Sequence, residues 1–219
     1  MESQRVDVFI NVHKGLRRGL LSLSGRIGNL DWTEPEEFKA AGVEFAQLLH
    51  FLREHAENED KVQVPFLEQK APGATRKMTE DHQRMEKELD QLEKDWDQIS
   101  GSANPAQAGY GFYLAFNRFL SGYLAHMDLE EREITEAIYR HFTDQEISGE
   151  FKKIIARTSP QDMGMMLGYM IPGMNGAERL VFLSNLKAAA PQPVFEGVKG
   201  LAQRVLAPKD WEKLSTRLG

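Results

Sequence analysis

At 219 residues, with 27% charged and 41% hydrophobic side chains, the chain suits one large domain, or a compact domain with an appendage, and can bury a core of useful size. Its net charge of −6 gives no support to bulk nucleic-acid binding. Cysteine is absent, which excludes disulfides, thiolate metal sites, iron–sulfur clusters and cysteine nucleophiles together. No basic segment followed by an apolar stretch opens the sequence, and no apolar run approaches the roughly 20 residues of a membrane span. The expectation is a cytoplasmic protein that engages neither membrane nor nucleic acid.

Leu, Ala, Glu, Lys, Gln and Met predominate and β-branched alternation is rare, so the expected fold class is all-α. The first helix is predicted over about Val6 to Ile27. The second starts near "DWTEPEE", with Thr33 as N-cap, Pro35 in the first turn and Glu36 completing a capping box, and continues toward Asp60. "QKAPGATRK" reads as a loop, Thr79 to Ile99 as the third helix, "SGSANPAQAG" as a break, and Gln107 to His141 as the fourth. Four long helices with short connections predict an up-down-up-down four-helix bundle. A boundary is placed near residue 143, dividing a bundle over 1–143 from a helical extension over 144–219 that packs on the bundle or on a partner. In the extension, Glu146 to Arg157 is a helix, Ser159 caps the next with Pro160 at its first position, and Asn175 with Glu178 opens another.

Helical periodicity sorts the histidines. Phe45, Leu48, Leu49 and Leu52 mark the inward face of the second helix, and His55 and Glu59 continue that line, whereas His50 and Glu54 point away. His13 lies within the apolar stripe of the first helix. His82, followed four residues later by Glu86, lies on that of the third, and His126, followed by Glu130, on that of the fourth. A buried carboxylate without a partner costs several kcal/mol, so this many imidazoles and carboxylates on inner faces call for a neutralising cation, better two sharing bridging carboxylates. Such sites are built from side chains on facing helices of a bundle. Mixed imidazole and carboxylate donors suit Fe, with Mn or Zn also fitting, and offer nothing soft to Cu(I).

The ordered set His13, "HAENE" at 55–59, "DHQRME" at 81–86 and "HMDLE" at 126–130 resembles the hemerythrin-like, HHE cation-binding family over roughly residues 5–143. The resemblance implies a non-heme di-iron centre, oxo- or hydroxo-bridged when oxidised, in a four-helix bundle. Carried over by position, His13, His55, His82 and His126 are terminal metal ligands, and Glu59 and Glu130 are the bridges. Two departures from the oxygen-carrying members stand out. Glu86 occupies the position of their second histidine on helix three, and both Glu130 and Glu131 are available where they have one carboxylate five residues after the histidine. Glu130 is preferred because it lies on the inward stripe of a regular helix; a π-bulge would reverse that choice.

Glu86 stands as a candidate further ligand or partner of the ligands. Tyr123, one turn before His126, could serve a bound oxygen species or orient a ligand, though such a residue is more often core packing. The functional expectation is a di-iron protein that binds O2 or senses oxygen, iron or redox state. The alternatives are a di-iron enzyme handling peroxide, nitric oxide or O2, and a metal site serving structure or storage. The extension carries "DMGMMLGYMIPGM", whose methionines suit gap-filling against neighbouring helices or an adaptable surface for a partner or a homodimer.

Overall fold

The computed structural model describes residues 5, 6 and 8–219, and among them all regular structure is helical. In chain order the elements are α1 (Ile10–Gly28), α2 (Pro35–Asn58), a π-helical segment (Glu59–Gln63), α3 (Val64–Glu68), α4 (Arg76–Ile99), α5 (Pro105–Leu129), a second π-helical segment (Glu130–Ile134), α6 (Thr135–His141), α7 (Asp144–Arg157), α8 (Pro160–Gly173), α9 (Gly176–Ala189), α10 (Gln192–Val205) and α11 (Pro208–Leu218). No described helix is long and apolar enough to cross a membrane.

The helix starts follow local chemistry, with one correction. Thr33 does not cap α2: Glu34 is the N-cap, in an extended conformation and with no side-chain cap bond. Pro35 at the first helical position disfavours α conformation in the residue before it, which fixes the cap at Glu34. The Thr33 N–H and hydroxyl instead donate to Asp31 Oδ1 at 2.9 and 2.6 Å. Further on, Ser159 accepts from the Asp162 N–H, and Asn175 and Glu178 form a reciprocal capping box, as their spacing predicts.

The chain forms two compact units. The first comprises the described residues through Phe9 with Gly19–Arg157, and the second comprises Ile10–Arg18 with Thr158–Gly219. α7, which follows the boundary expected near residue 143, groups with the first unit.

In the first unit an aromatic cluster lies where the early turns of α2 and α5 meet the last turns of α4. Phe38 stacks on Trp96 at 4.7 Å, and Phe45 packs on Trp96 and Phe112 at 5.0 and 5.3 Å. Trp32 meets Trp96 and Phe112 edge-on. Gly109 makes room for that indole, since a Cβ there would sit 2.1 Å from the Trp32 ring. A second apolar cluster gathers Phe9, Leu67, Met78, Ile134, Ile138 and Phe142. Along α2, α4 and α5 the histidines fall between these two clusters.

The second unit has its own core, including Leu167, Ile171, Leu183, Ala202, Leu214 and Leu218, with Met163 and Met170 packed against it. Two glycines bring backbones close within it. A Cβ on Gly173 would lie 2.8 Å from the Lys14 carbonyl oxygen, and one on Gly15 would lie 3.0 Å from Met170 backbone atoms. Arg179 donates to the carbonyls of Ile171 and Pro172 at the end of α8, satisfying acceptors a helix terminus leaves open.

Candidate metal centre

His55 and Glu59 close out α2 on its buried face, one turn apart, with Nε2 and Oε1 3.1 Å from each other. His126 and Glu130 repeat the arrangement at the end of α5, at 3.0 Å. α4 contributes His82, whose Nε2 lies 3.3 Å from Glu59 Oε2, 3.5 Å from Glu130 Oε1 and 3.1 Å from His126 Nε2. All five side chains are buried, with the two glutamates at 1% and 0% exposure. Glu59, His82, His126 and Glu130 each present a ligand atom within 4.8 Å of the others, and His55 presents one within the same distance of both glutamates. Glu59 and Glu130 are therefore common to two sets of donors, one with His55 and the other with His82 and His126.

The π-helical segments explain how these pairs stay on a regular helix while the chain beyond them still faces inward. In both cases the wider turn starts at the glutamate, at Glu59 and at Glu130, so the histidine–glutamate step keeps α-helical spacing. At the second site the π-helical turn leaves Glu130 buried and within reach of His126, and Glu131 half-buried. In each segment an N–H bond runs five residues back, from Val64 to the Glu59 carbonyl in the first and from Thr135 to the Glu130 carbonyl in the second. The Thr135 hydroxyl also donates to the Glu130 carbonyl at 3.0 Å. At the first site Pro65 lacks an N–H and crowds the carbonyl four residues back in a regular helix, which favours local widening.

The remaining residues expected at the site are His13, Glu86 and Tyr123. His13 is fully buried on α1, in the segment that groups with the second unit. Glu86 is not brought into the cluster: its side chain is 52% exposed and accepts from Arg53 Nε at 2.9 Å. Arg53 also binds Asp90 and Glu93, so a cationic fork on α2 draws α4 carboxylates outward. Tyr123 is buried, its ring 5.7 Å from the His126 ring and edge-on to it. Burial, reinforced by the charges of Glu59 and Glu130, raises its phenol well above the ordinary range, so it keeps its proton at neutral pH.

Two carboxylates that the sequence reading passed over face the outer nitrogens of the histidines. Asp60 Oδ1 is 2.7 Å from His82 Nδ1, and Asp81 Oδ2 is 3.7 Å from His126 Nδ1. Burial by itself would lower the His82 imidazole; hydrogen bonding with Asp60, Glu130 and Glu59 outweighs it and raises the ring above its ordinary value.

The donor set fits a cation. Imidazole nitrogens and carboxylate oxygens converge in a buried place, with no sulfur donor, a combination matched to Fe, Mn or Zn. Buried histidines and glutamates converging from neighbouring helices define a helical metal-binding protein. The family model of the hemerythrin HHE cation binding domain matches residues 4–138, and the chain belongs to that family. Neither the comparison with curated proteins nor that with solved structures gives a match.

Proposed function

We propose that the chain is a non-heme di-iron protein that binds O2, or senses oxygen, iron or redox state, at a carboxylate-bridged centre. The observation that carries the reading is that Glu59 and Glu130 are shared by two sets of imidazole donors. Two carboxylates so placed can each serve two cations, with His55 terminal on one side and His82 and His126 on the other. His13 enters as a further terminal ligand through its position in the family pattern and its complete burial. The up-down-up-down bundle is supported by the two apolar clusters: α2 and α5 run from the aromatic cluster toward the other, and α4 runs back.

Bound iron supplies one-electron redox chemistry and affinity for O2 and related small molecules. The protein's own part is to hold the donors in place, to keep water from the buried carboxylates, and to present the Tyr123 phenol in its protonated form beside His126. The buried Tyr123 beside His126 is the feature a second reading would use, an enzyme handling peroxide, nitric oxide or O2, with the phenol as a hydrogen-bond donor to a bound oxygen species.

Elemental analysis of the purified protein, with anaerobic and aerobic optical spectra, tests the proposal. Two irons per chain and a spectrum that changes on exposure to O2 are expected. Glu59→Ala should lose half or more of the metal and lower thermal stability, while Glu54→Ala, on the outer face, should do neither. A metal-free protein of undiminished stability overturns the reading.

A further inference from the structure

We propose that Asp60 is a positioning residue of this centre, holding the His82 ring by Nδ1 so that Nε2 is committed to the cation shared with Glu59 and Glu130. The inference rests on the metal-binding reading above and adds a residue that neither the family match nor the ligand pattern assigns.

The geometry singles Asp60 out. It directly follows Glu59 at the start of the first π-helical segment, and the two neighbours address opposite edges of one imidazole: Glu59 Oε2 lies 3.3 Å from Nε2 and Asp60 Oδ1 lies 2.7 Å from Nδ1. A histidine presents a metal with one nitrogen, and the hydrogen bond at the other fixes tautomer and ring orientation while raising donor strength. The two histidines on this side differ in that respect. The nearest oxygen of Asp81 is 3.7 Å from His126 Nδ1, and Asp81 already binds Arg84 at 2.7 Å. Of the two, His82 alone has a carboxylate at hydrogen-bond distance from its Nδ1.

Nor is Asp60 absorbed by the cations around it. It lines an open groove of about 590 Å³ together with Arg53, Lys61 and Lys87. Arg53 is taken up by Glu86, Asp90 and Glu93, and Lys61 faces Glu57 at 3.2 Å. With its side chain 45% exposed, Asp60 can be replaced without opening a cavity in the core, so a change at the metal reports on His82 rather than on packing.

The test titrates the metal-free full-length chain with Co(II), read by its visible absorption, for the wild type and for Asp60→Asn, Asp60→Ala and Glu86→Gln. The wild type should take up two equivalents. In Asp60→Ala one of the two should bind about 10–100-fold more weakly, the range for loss of such a partner, with its absorption band altered. The other, on the His55 side, should be unchanged. Asp60→Asn, which keeps an acceptor oxygen but no charge, should fall between, and Glu86→Gln, an acid of the same groove bonded to Arg53, should match the wild type. Identical titrations for the wild type and Asp60→Ala overturn the inference and leave the metal reading intact, and so does an equal effect of Glu86→Gln and Asp60→Asn. A wild type that takes up no Co(II) overturns both.

Discussion

Glu68 closes the turn between α3 and α4. It accepts the Gly73 N–H at 2.7 Å and, on its other oxygen, the Thr75 N–H at 3.1 Å and the Thr75 hydroxyl. These bonds, the Thr75 side chain first, hold its carboxyl below the usual range against a small opposing effect of burial. A carboxyl depressed in the folded state adds stability that is present above its unfolded pKa and lost as pH falls through the folded one. Glu68→Gln should therefore lower the melting temperature at pH 7 by about 2–4 °C, and the gap from the wild type should narrow on acidification. Melting curves of the metal-free proteins at several pH values check this, and a gap that widens toward low pH contradicts it. At this scale the sequence was informative where a residue shared an apolar stripe. His55, Glu59, His82, His126 and Glu130 were legible because helical spacing ties each to buried neighbours. Asp60 and Asp81 were not, because each adjoins a candidate ligand in sequence and reads as exterior charge, and its direction depends on the facing helix. Glu86 read as inward by the same spacing, and the Arg53 fork that draws it out lies on another element.

The two π-helical segments carry the element-scale lesson. Leu67 lies eight residues after Glu59 and Ile138 eight after Glu130, and all four are buried. In a regular helix eight residues overshoot two turns by roughly 80°, enough to swing the later residue off the inner face. The wider turn absorbs about one extra residue, and the stripe continues. Removing one residue should have the same effect by another route, because seven residues fall within roughly 20° of two turns. Deleting exposed Arg132 should thus restore a regular helix and leave the fold intact, with a melting temperature within about 4 °C of the wild type, whereas deleting Leu120 from the middle of α5 should abolish cooperative melting. If the Arg132 deletion unfolds the protein, the register argument fails. The all-helical character and most helix limits followed from composition, capping residues and prolines. The π segments did not, since only the need to keep both ends of a long helix buried calls for them.

At the scale of the molecule, the matched domain over 4–138 and the compact units do not coincide. Ile10–Arg18 belongs with Thr158–Gly219, a pairing that depends on Gly15, Gly173 and the Lys14–Glu178 ion pair. Sequence periodicity marked these helices but not which of them meet, because glycine on a helix announces a close approach without naming the partner. Gly173→Ala should cost about 1–3 kcal/mol through the clash with the Lys14 carbonyl, lowering the melting temperature by about 2–4 °C per kcal/mol. An unchanged melting curve would show that the two backbones can part without cost. The same pairing bears on how the chain is made. Domains fold largely from the N-terminus during synthesis, at roughly 5–20 residues per second. The rest of the compact unit that includes the segment carrying His13 begins at Thr158. His13 therefore leaves the ribosome well before the rest of the unit that its segment joins. A chain arrested after Arg157 would present the Gly15 face to solvent and to chaperones until synthesis resumed.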